Sequence, residues 1–348
     1  MKTLYIVSLH IIAIFLSFAP KAVQAQDPQY SQFYAAPLYI NPALTGTAYE
    51  PRVILNYRKQ WPNLETVFTT YSTSFDTYLS RINGGLGIIF TRDVATAGKF
   101  TSMDIGLQYA QEVYLSSRWA LRAGVQASYV MRTAEFAGLV FGDQYNTITQ
   151  NFSNPTAEAL SNGFQYFNLS SGIFLYDDSQ WIGFAVHNLT RPSQQFLDGT
   201  TDRLPMRFTL QLGKKIPIVD ETQWRQREQG TAKEISFTPA LLYKHQGGSD
   251  QLDLGLYFTY SPFVVGLWYR GIPLKQINQN VINNESLIGL VGATYNNISI
   301  GYSYDLTISR LGIGSGGAHE VSLIMTFPQG TKYGVKKTFG PGLPCPKF

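Results

Sequence analysis

Residues 297–327, NISIGYSYDLTISRLGIGSGGAHEVSLIMTF, constrain the fold more than any other stretch of the chain. Ile298, Ile300, Tyr302 and Tyr304 fall on every second residue, with Ser299, Gly301, Ser303 and Asp305 between them. Because successive side chains of a strand point to opposite faces, this is a strand with one apolar face and one small or polar face. Val321, Leu323, Met325 and Phe327 repeat the pattern against Glu320, Ser322 and Thr326, and only Ile324 breaks it. The two segments form the last hairpin of the chain. If the sheet closes on itself, its final strand must pair with the first, near Val53.

The same alternation runs through the rest of the chain in about 14 strand-like segments: 53–61, 66–77, 85–91, 101–113, 118–131, 164–176, 180–187, 205–216, 234–245, 250–260, 263–270, 286–295, 297–305 and 319–327. Leu252, Leu254, Leu256, Phe258 and Tyr260 alternate with Asp253, Gly255, Tyr257 and Thr259. Trp119, Leu121, Ala123, Val125, Ala127 and Tyr129 alternate with Arg122, Gly124, Gln126 and Ser128. A soluble sandwich would alternate too, so the connections decide. Even-numbered links are short (114–117, 177–179, 261–262, 296), whereas odd-numbered links are mostly long (92–100, 132–163, 188–204, 271–285, 306–318). Links 62–65 and 246–249 are short exceptions, and 217–233 is long where a tight turn is expected. That parity is the mark of an up-and-down barrel with short periplasmic turns and long outer loops. Trp61, Tyr78, Trp119, Tyr176, Trp181, Tyr260, Tyr295 and Phe327 stand at strand ends, as interfacial girdles require. The predicted fold is all-β: an antiparallel, up-and-down transmembrane β-barrel of about 14 strands over residues 51–327, placed in an outer membrane. A soluble all-β domain is the alternative.

Only 14% of the 348 residues are charged, against roughly 25% in soluble domains, which suits a wall facing lipid. Residues 1–25 carry Lys2, an apolar run and Val23-Gln24-Ala25, the pattern of a secretory leader with its cleavage site. Removing Lys2 and Lys21 with it leaves 25 basic against 23 acidic side chains, so no electrostatic case for nucleic acid remains. A lone cysteine, Cys345, cannot close an intramolecular disulfide.

Several motifs occur in order along the chain: QDPQYSQFYAAPLYINPALTG (26–46, with Tyr30, Ser31, Asn41 and Pro42), YRKQW (Tyr57, Arg58, Lys59, Gln60, Trp61), SFD (74–76), YSYDLTISRLGIGSGGAHEVSL (302–323, with Asp305, His319 and Glu320) and the terminal CPKF (Cys345, Pro346). Together they resemble the PorP/SprF family, outer-membrane proteins of the type IX secretion system and gliding motility of Bacteroidetes. The resemblance implies a cell-surface barrel that binds, anchors or helps export a secreted adhesin bearing a type IX C-terminal signal. It also implies contact with outer-membrane lipid and with periplasmic or translocon components of that system.

Other residues invite sharper readings. His319-Glu320 could bind metal or act as acid and base, but neighbours on a strand face opposite ways, so a structural role at the loop-to-strand corner is expected. The GIGSGG run lacks the Lys and Ser/Thr of a phosphate loop and reads as a hairpin tip. His187, His245 and His319 sit at strand ends on the loop side, with no motif marking an activated serine beside them, so no catalytic, metal or cofactor residues are expected. Arg122, Arg207 and Arg270 lie on or near polar faces and are expected to pair with carboxylates such as Asp104 and Asp253, filling the lumen; lining an anion channel is the alternative. Residues 26–50 hold Pro28, Pro37 and Pro42 and so cannot join a ladder. Their aromatics Tyr30, Phe33, Tyr34 and Tyr39 favour packing in the lumen or at the periplasmic rim. The tail, 328–348, is expected to project into the periplasm, where it and 217–233 would offer a docking surface or simply pack on the rim; Cys345 is expected to be a buried or inert thiol, with a reactive thiol or an intermolecular link as the alternatives.

Two functions therefore compete: a partner-binding barrel of a secretion pathway, and an outer-membrane channel or porin for small solutes, since 14 strands can enclose a solute-wide lumen.

Overall fold

The computed structural model describes residues 27–96, 99–135, 145–146, 151–152, 163–194, 203–218, 234–278 and 281–327. Its wall is built from β1 (Arg52–Gln60), β2 (Phe68–Leu79), β3 (Gly84–Ala95), β4 (Phe100–Tyr114), β5 (Ala120–Thr133), β6 (Gly163–Tyr176) and β7 (Gln180–His187). It continues through β8 (Arg207–Lys214), β9 (Ile235–Gln246), β10 (Ser249–Tyr260), β11 (Phe263–Asn278), β12 (Val281–Tyr295), β13 (Ile298–Thr307) and β14 (Ala318–Thr326). Each strand pairs antiparallel with the next, and β14 returns to β1 over nine positions, from Arg52↔Thr326 to Gln60↔Ala318. The ring of 14 strands is closed, with Val53 opposite Met325, as the alternation in the last hairpin requires. Closure removes the two sheet edges, and in hydrocarbon each unpaired backbone group would cost several kcal/mol.

The outer face is apolar. Leu254, Leu256, Phe258 and Tyr260 are exposed on β10, while Asp253 and Tyr257 are buried toward the lumen. On β5, Val125 and Met131 face outward while Arg122 and Ser128 face inward. Ile298, Ile300 and Tyr302 do the same on β13 against Ser299, Ser303 and Asp305. Ile324, the one break in the pattern, packs its side chain against the buried cluster inside.

Three sequence expectations need correction. The link expected over 271–285 is strand: β11 and β12 continue to Asn278 and Val281 through register shifts after Arg270 and Ile272. Gly271 takes φ +145° at the first of these, where a side chain would be strained. Tyr78, Tyr176 and Trp181 do not belong to the outer girdle. Tyr176 and Trp181 are buried, and Tyr78 packs on Tyr49 of the N-terminal segment, because their parity along the strands points them inward. Finally, the three inward arginines pair with carboxylates as expected, Arg270 with Asp253, but not through Asp104: Arg207 takes Asp27, and Arg122 lies 3.4 Å from Glu112.

Residues 27–50 run along the inside of the ring. They fold into three single turns, Phe33–Ala35, Pro37–Ile40 and Pro42–Leu44, each too short to be a helix of its own. Two of these turns start on proline, whose fixed φ and missing N–H suit a first helical position. Phe33, Ala35, Leu38, Ala43 and Leu44 are all at most 2% exposed, so this strap forms the core of the molecule.

Candidate functional site

The strap and the inner wall form one continuous polar contact, best followed from the loop end to the turn end. At the loop-end mouth Asp27 gathers the ends of four strands. Its Oδ2 accepts from Arg207 Nη1 at 3.2 Å, from Asn188 Nδ2 at 3.1 Å and from Gln246 Nε2 at 3.2 Å, and Arg132 Nη2 lies 3.8 Å from Oδ1. Burial pushes the Asp27 carboxyl up, but Arg207 and Arg132 outweigh that and hold it below the ordinary carboxylate range. Beside it Arg207 lies over the Tyr39 ring, 4.7 Å from the centroid, and donates to the Tyr39 hydroxyl at 2.8 Å. A cavity of about 70 Å³ remains here, lined by Asp27, Tyr39, Asp93, Asp104, Arg132 and Arg207 among others, room for a few waters.

Deeper in the loop half lies a five-charge cluster. Arg58 of β1 donates to Asp305 Oδ2 at 2.8 Å and to Glu320 Oε2 at 3.1 Å. Arg270 of β11 donates to Asp253 Oδ1 at 2.7 Å and to the same Asp305 oxygen at 3.2 Å. All five side chains are at most 4% exposed. Into this cluster the strap inserts Ser31. The Ser31 hydroxyl donates to Asp305 Oδ2 at 2.6 Å and accepts from Arg58 at 2.9 Å and Arg270 at 3.0 Å. The backbone N–H groups of Ser31 and Gln32 donate to the two oxygens of Glu320, at 2.7 and 3.1 Å. A carboxylate with both oxygens occupied by strap amides is a clamp on backbone conformation, and charge-assisted bonds of this kind are the stronger ones.

Halfway down, Asn41 fixes the last turn. Its Oδ1 accepts from Ala43 N at 2.9 Å, and its Nδ2 donates to Ile173 O of β6 at 3.1 Å. Above it, at the loop end where His187 closes β7 opposite Arg207, His187 Nε2 donates to Ile40 O at 3.0 Å. In the turn half the strap backbone rests directly on the wall. A Cβ on Gly124 would lie 2.3 Å from Ala43 N, and one on Gly85 2.2 Å from Thr45 O, so only glycine admits the strap at these two points. Arg122 donates to the carbonyls of Ala43, at 2.9 Å, and Thr45 and lies 3.4 Å from Glu112. Gly46 N donates to Asp76 at 2.7 Å, and the Tyr49 hydroxyl to Glu112 at 2.6 Å.

The motif residues divide accordingly. Tyr30, Ser31, Arg58, Asp305 and Glu320 meet in the charged cluster, with Arg270 donating to Tyr30 O at 3.3 Å. Asn41 and Pro42 lie on the strap nearer the turn end. Tyr57 and His319 face outward: Tyr57 packs on Tyr71, and His319 Nδ1 lies 2.9 Å from the Tyr302 hydroxyl. His319 and Glu320 thus sit on opposite faces of β14. His245 is 2.6 Å from Asp250 and half-exposed, well apart in chemistry from the buried His187. Gln60 ends β1, and Trp61 N donates to Gly317 O at 2.7 Å, tying the first loop to the glycine-rich tip. Cys345 and Pro346, with the leader and the tail, lie outside the described residues. Asp27, Gln32 and Asp76 enter the sequence reading only as members of the motifs 26–46 and SFD, and Glu112 does not enter it. For Asp76 and Glu112 the available cue is an acid on the inward parity of a strand.

Among solved structures the chain is similar to outer-membrane barrels. It matches the outer membrane protein Omp33 of Acinetobacter baumannii at 8% identity and a TM-score of 0.38, over 80% of this chain and 99% of that one. It matches the monoaromatic hydrocarbon channel CymD at 9% identity and a TM-score of 0.41, over 84% and 93%, and BamA of Haemophilus ducreyi at 7% and 0.39, over 80% and 70%. No curated protein sequence matches the chain. A profile of one protein family matches residues 22–325, which takes in the strap, the charged cluster and nearly all of the closing strand β14. The chain therefore belongs to the PorP/SprF family, the type IX secretion system membrane proteins.

Proposed function

We propose that this barrel is a closed platform of the type IX secretion and gliding machinery, holding, anchoring or helping to export a secreted adhesin that carries a type IX C-terminal signal. On this reading the turn end faces the periplasm of a Bacteroidetes-like cell and the loop end faces outward, the leader having been removed. The observation that carries it is the filled lumen: residues 27–50 occupy the interior, bonded to the wall from Asp27 to Tyr49. An open porin requires a water-filled lumen, so a wall of this size serves better as a scaffold with binding surfaces at its two ends. The long loop between Arg132 and Gly163 is the first candidate surface at the loop end.

The test is an affinity capture of the tagged protein from outer membranes of its own host in mild detergent, followed by mass spectrometry. Recovery of a large secreted protein with a type IX C-terminal domain, lost when the 132–163 loop is deleted, is the expected result. Recovery of the barrel alone from cells with intact machinery would overturn the proposal in favour of a channel.

A further inference from the structure

The strap has a direction. Its C-terminal end, Gly46 to Arg52, is fixed to the turn end of the barrel: Gly46 and Arg52 bond Asp76, in the turn-end half of β2, and Tyr49 bonds Glu112 near the end of β4. Its N-terminal end lies at the opposite mouth. All four side chains around Asp27 belong to loop-end positions: Arg132 is the penultimate residue of β5, Asn188 follows the last residue of β7, Arg207 opens β8 and Gln246 closes β9. Asp27 N also points to Gln246 Oε1, at 3.4 Å. Between these ends the strap does not descend evenly: past Ser31 at the charged cluster it dips to set Tyr34 against Trp181 near the turn end, returns Tyr39 and Ile40 to Arg207 and His187 at the loop end, and then descends to Ala43 and Arg122. The chain therefore traverses the lumen lengthwise before its first strand begins.

We infer that the amino terminus of the processed protein is delivered to the loop-end mouth, on the outer side of the membrane if the orientation of the proposed function holds. One consequence follows. A leader still held in the inner membrane would have to connect to Asp27 from the turn side, back through a lumen that the strap already fills, so cleavage near Ala25 must precede seating of the strap. The strap is thus both the core of the barrel and a carrier that brings a chain end across it.

The experiment is cysteine labelling of intact cells with a membrane-impermeant maleimide, in a Cys345→Ser background, on the full chain. A cysteine inserted between Gln26 and Asp27, one residue past the cleavage site, reports the terminus, Asn63→Cys the loop between β1 and β2, and Ser117→Cys the turn between β4 and β5. Heat-modifiable gel migration checks that each variant has folded, and a short epitope inserted after Gln26 and detected by antibody provides a second reporter. The expected result is that the inserted cysteine labels as fully as Asn63→Cys, while Ser117→Cys labels only after permeabilisation. Labelling of the inserted cysteine in step with Ser117→Cys, or only after denaturation, would overturn the inference. Should Asn63→Cys be the protected site and Ser117→Cys the accessible one, the orientation fails. The traverse would then be judged by whether the inserted cysteine still follows Asn63→Cys.

Discussion

The two halves of the strap are held by different physics. In the loop half, Ser31 and Gln32 are gripped by ionised side chains: Glu320 takes two amides, and Asp305, Arg58 and Arg270 converge on one hydroxyl. In the turn half, Ala43 and Thr45 lie so close to Gly124 and Gly85 that the contact is backbone to backbone, with Arg122 supplying bonds to the carbonyls. A charged grip is directional and depends on protonation, whereas a steric fit depends on shape and has no titration. One segment is thus fixed at one end by chemistry and at the other by the absence of a side chain, and the two ends should fail differently.

The largest effect is expected from Glu320→Ala. It leaves Arg58 short of a partner and two strap amides unbonded inside the lumen, and breaking a buried pair from one side costs about 3–5 kcal/mol. Hydrogen exchange should show the amides of residues 30–35 opening while the barrel ladders stay protected; unchanged protection would mean the charged grip is ornamental. Next comes Gly124→Ala, which drives a methyl against Ala43 N and Pro42 O and should cost roughly 1–3 kcal/mol by overpacking. Here exchange should accelerate around residues 42–46 and leave Ser31 protected. Loosening of both halves together would dissolve the distinction between them. Asn41→Ala removes the cap on the Pro42–Leu44 turn and a bond to β6, a loss of about 1 kcal/mol, read as a smaller increase in the same exchange.

Acid should separate the halves further. The Asp27 carboxyl is depressed in the folded protein, so its contribution is complete above its unfolded value of about 3.9 and is lost as pH falls through the lower folded value. Protection of the strap near the loop-end mouth, taken relative to the intrinsic exchange rate at each pH, should therefore be flat through neutral pH and fall only in strong acid, and Asp27→Asn should remove that acid limb. The smallest effect is expected from His319→Phe. Its ring lies on the outer face against Tyr302 and Tyr304, so stability should change by no more than about 0.5 kcal/mol and strap exchange not at all. A large loss there would restore the paired His-Glu site that the strand geometry argues against.

The wall was legible because a period of two is written locally. All 14 strands could be read from alternation, though not the extension of β11 and β12 through 271–285, where register shifts break the period, and closure followed from the last hairpin. The inward turn of Trp181 and Tyr176 was not legible, since an aromatic at a strand end looks the same whether it meets lipid or packs on Tyr34, as Trp181 does. The strap has no period at all. Its prolines excluded a ladder and its tyrosines argued for burial, but which wall residue each would touch depends on register across 14 strands. Arg58 faces Glu320 only because β14 closes on β1 with Arg58 opposite Glu320. The pairing of Arg270 with Asp253 is a neighbour-strand contact and was within reach, whereas Asp27 with Arg207 spans 180 positions of sequence and was not.

Whether the protein's own N-terminal segment fills the lumen is decided by the ion conductance of the purified full chain in planar bilayers. The unmodified barrel should be silent and should begin to conduct when residues 27–50 are deleted or when Glu320→Ala and Gly124→Ala are combined. Large, steady currents through the unmodified chain, unchanged by those alterations, would contradict a filled lumen.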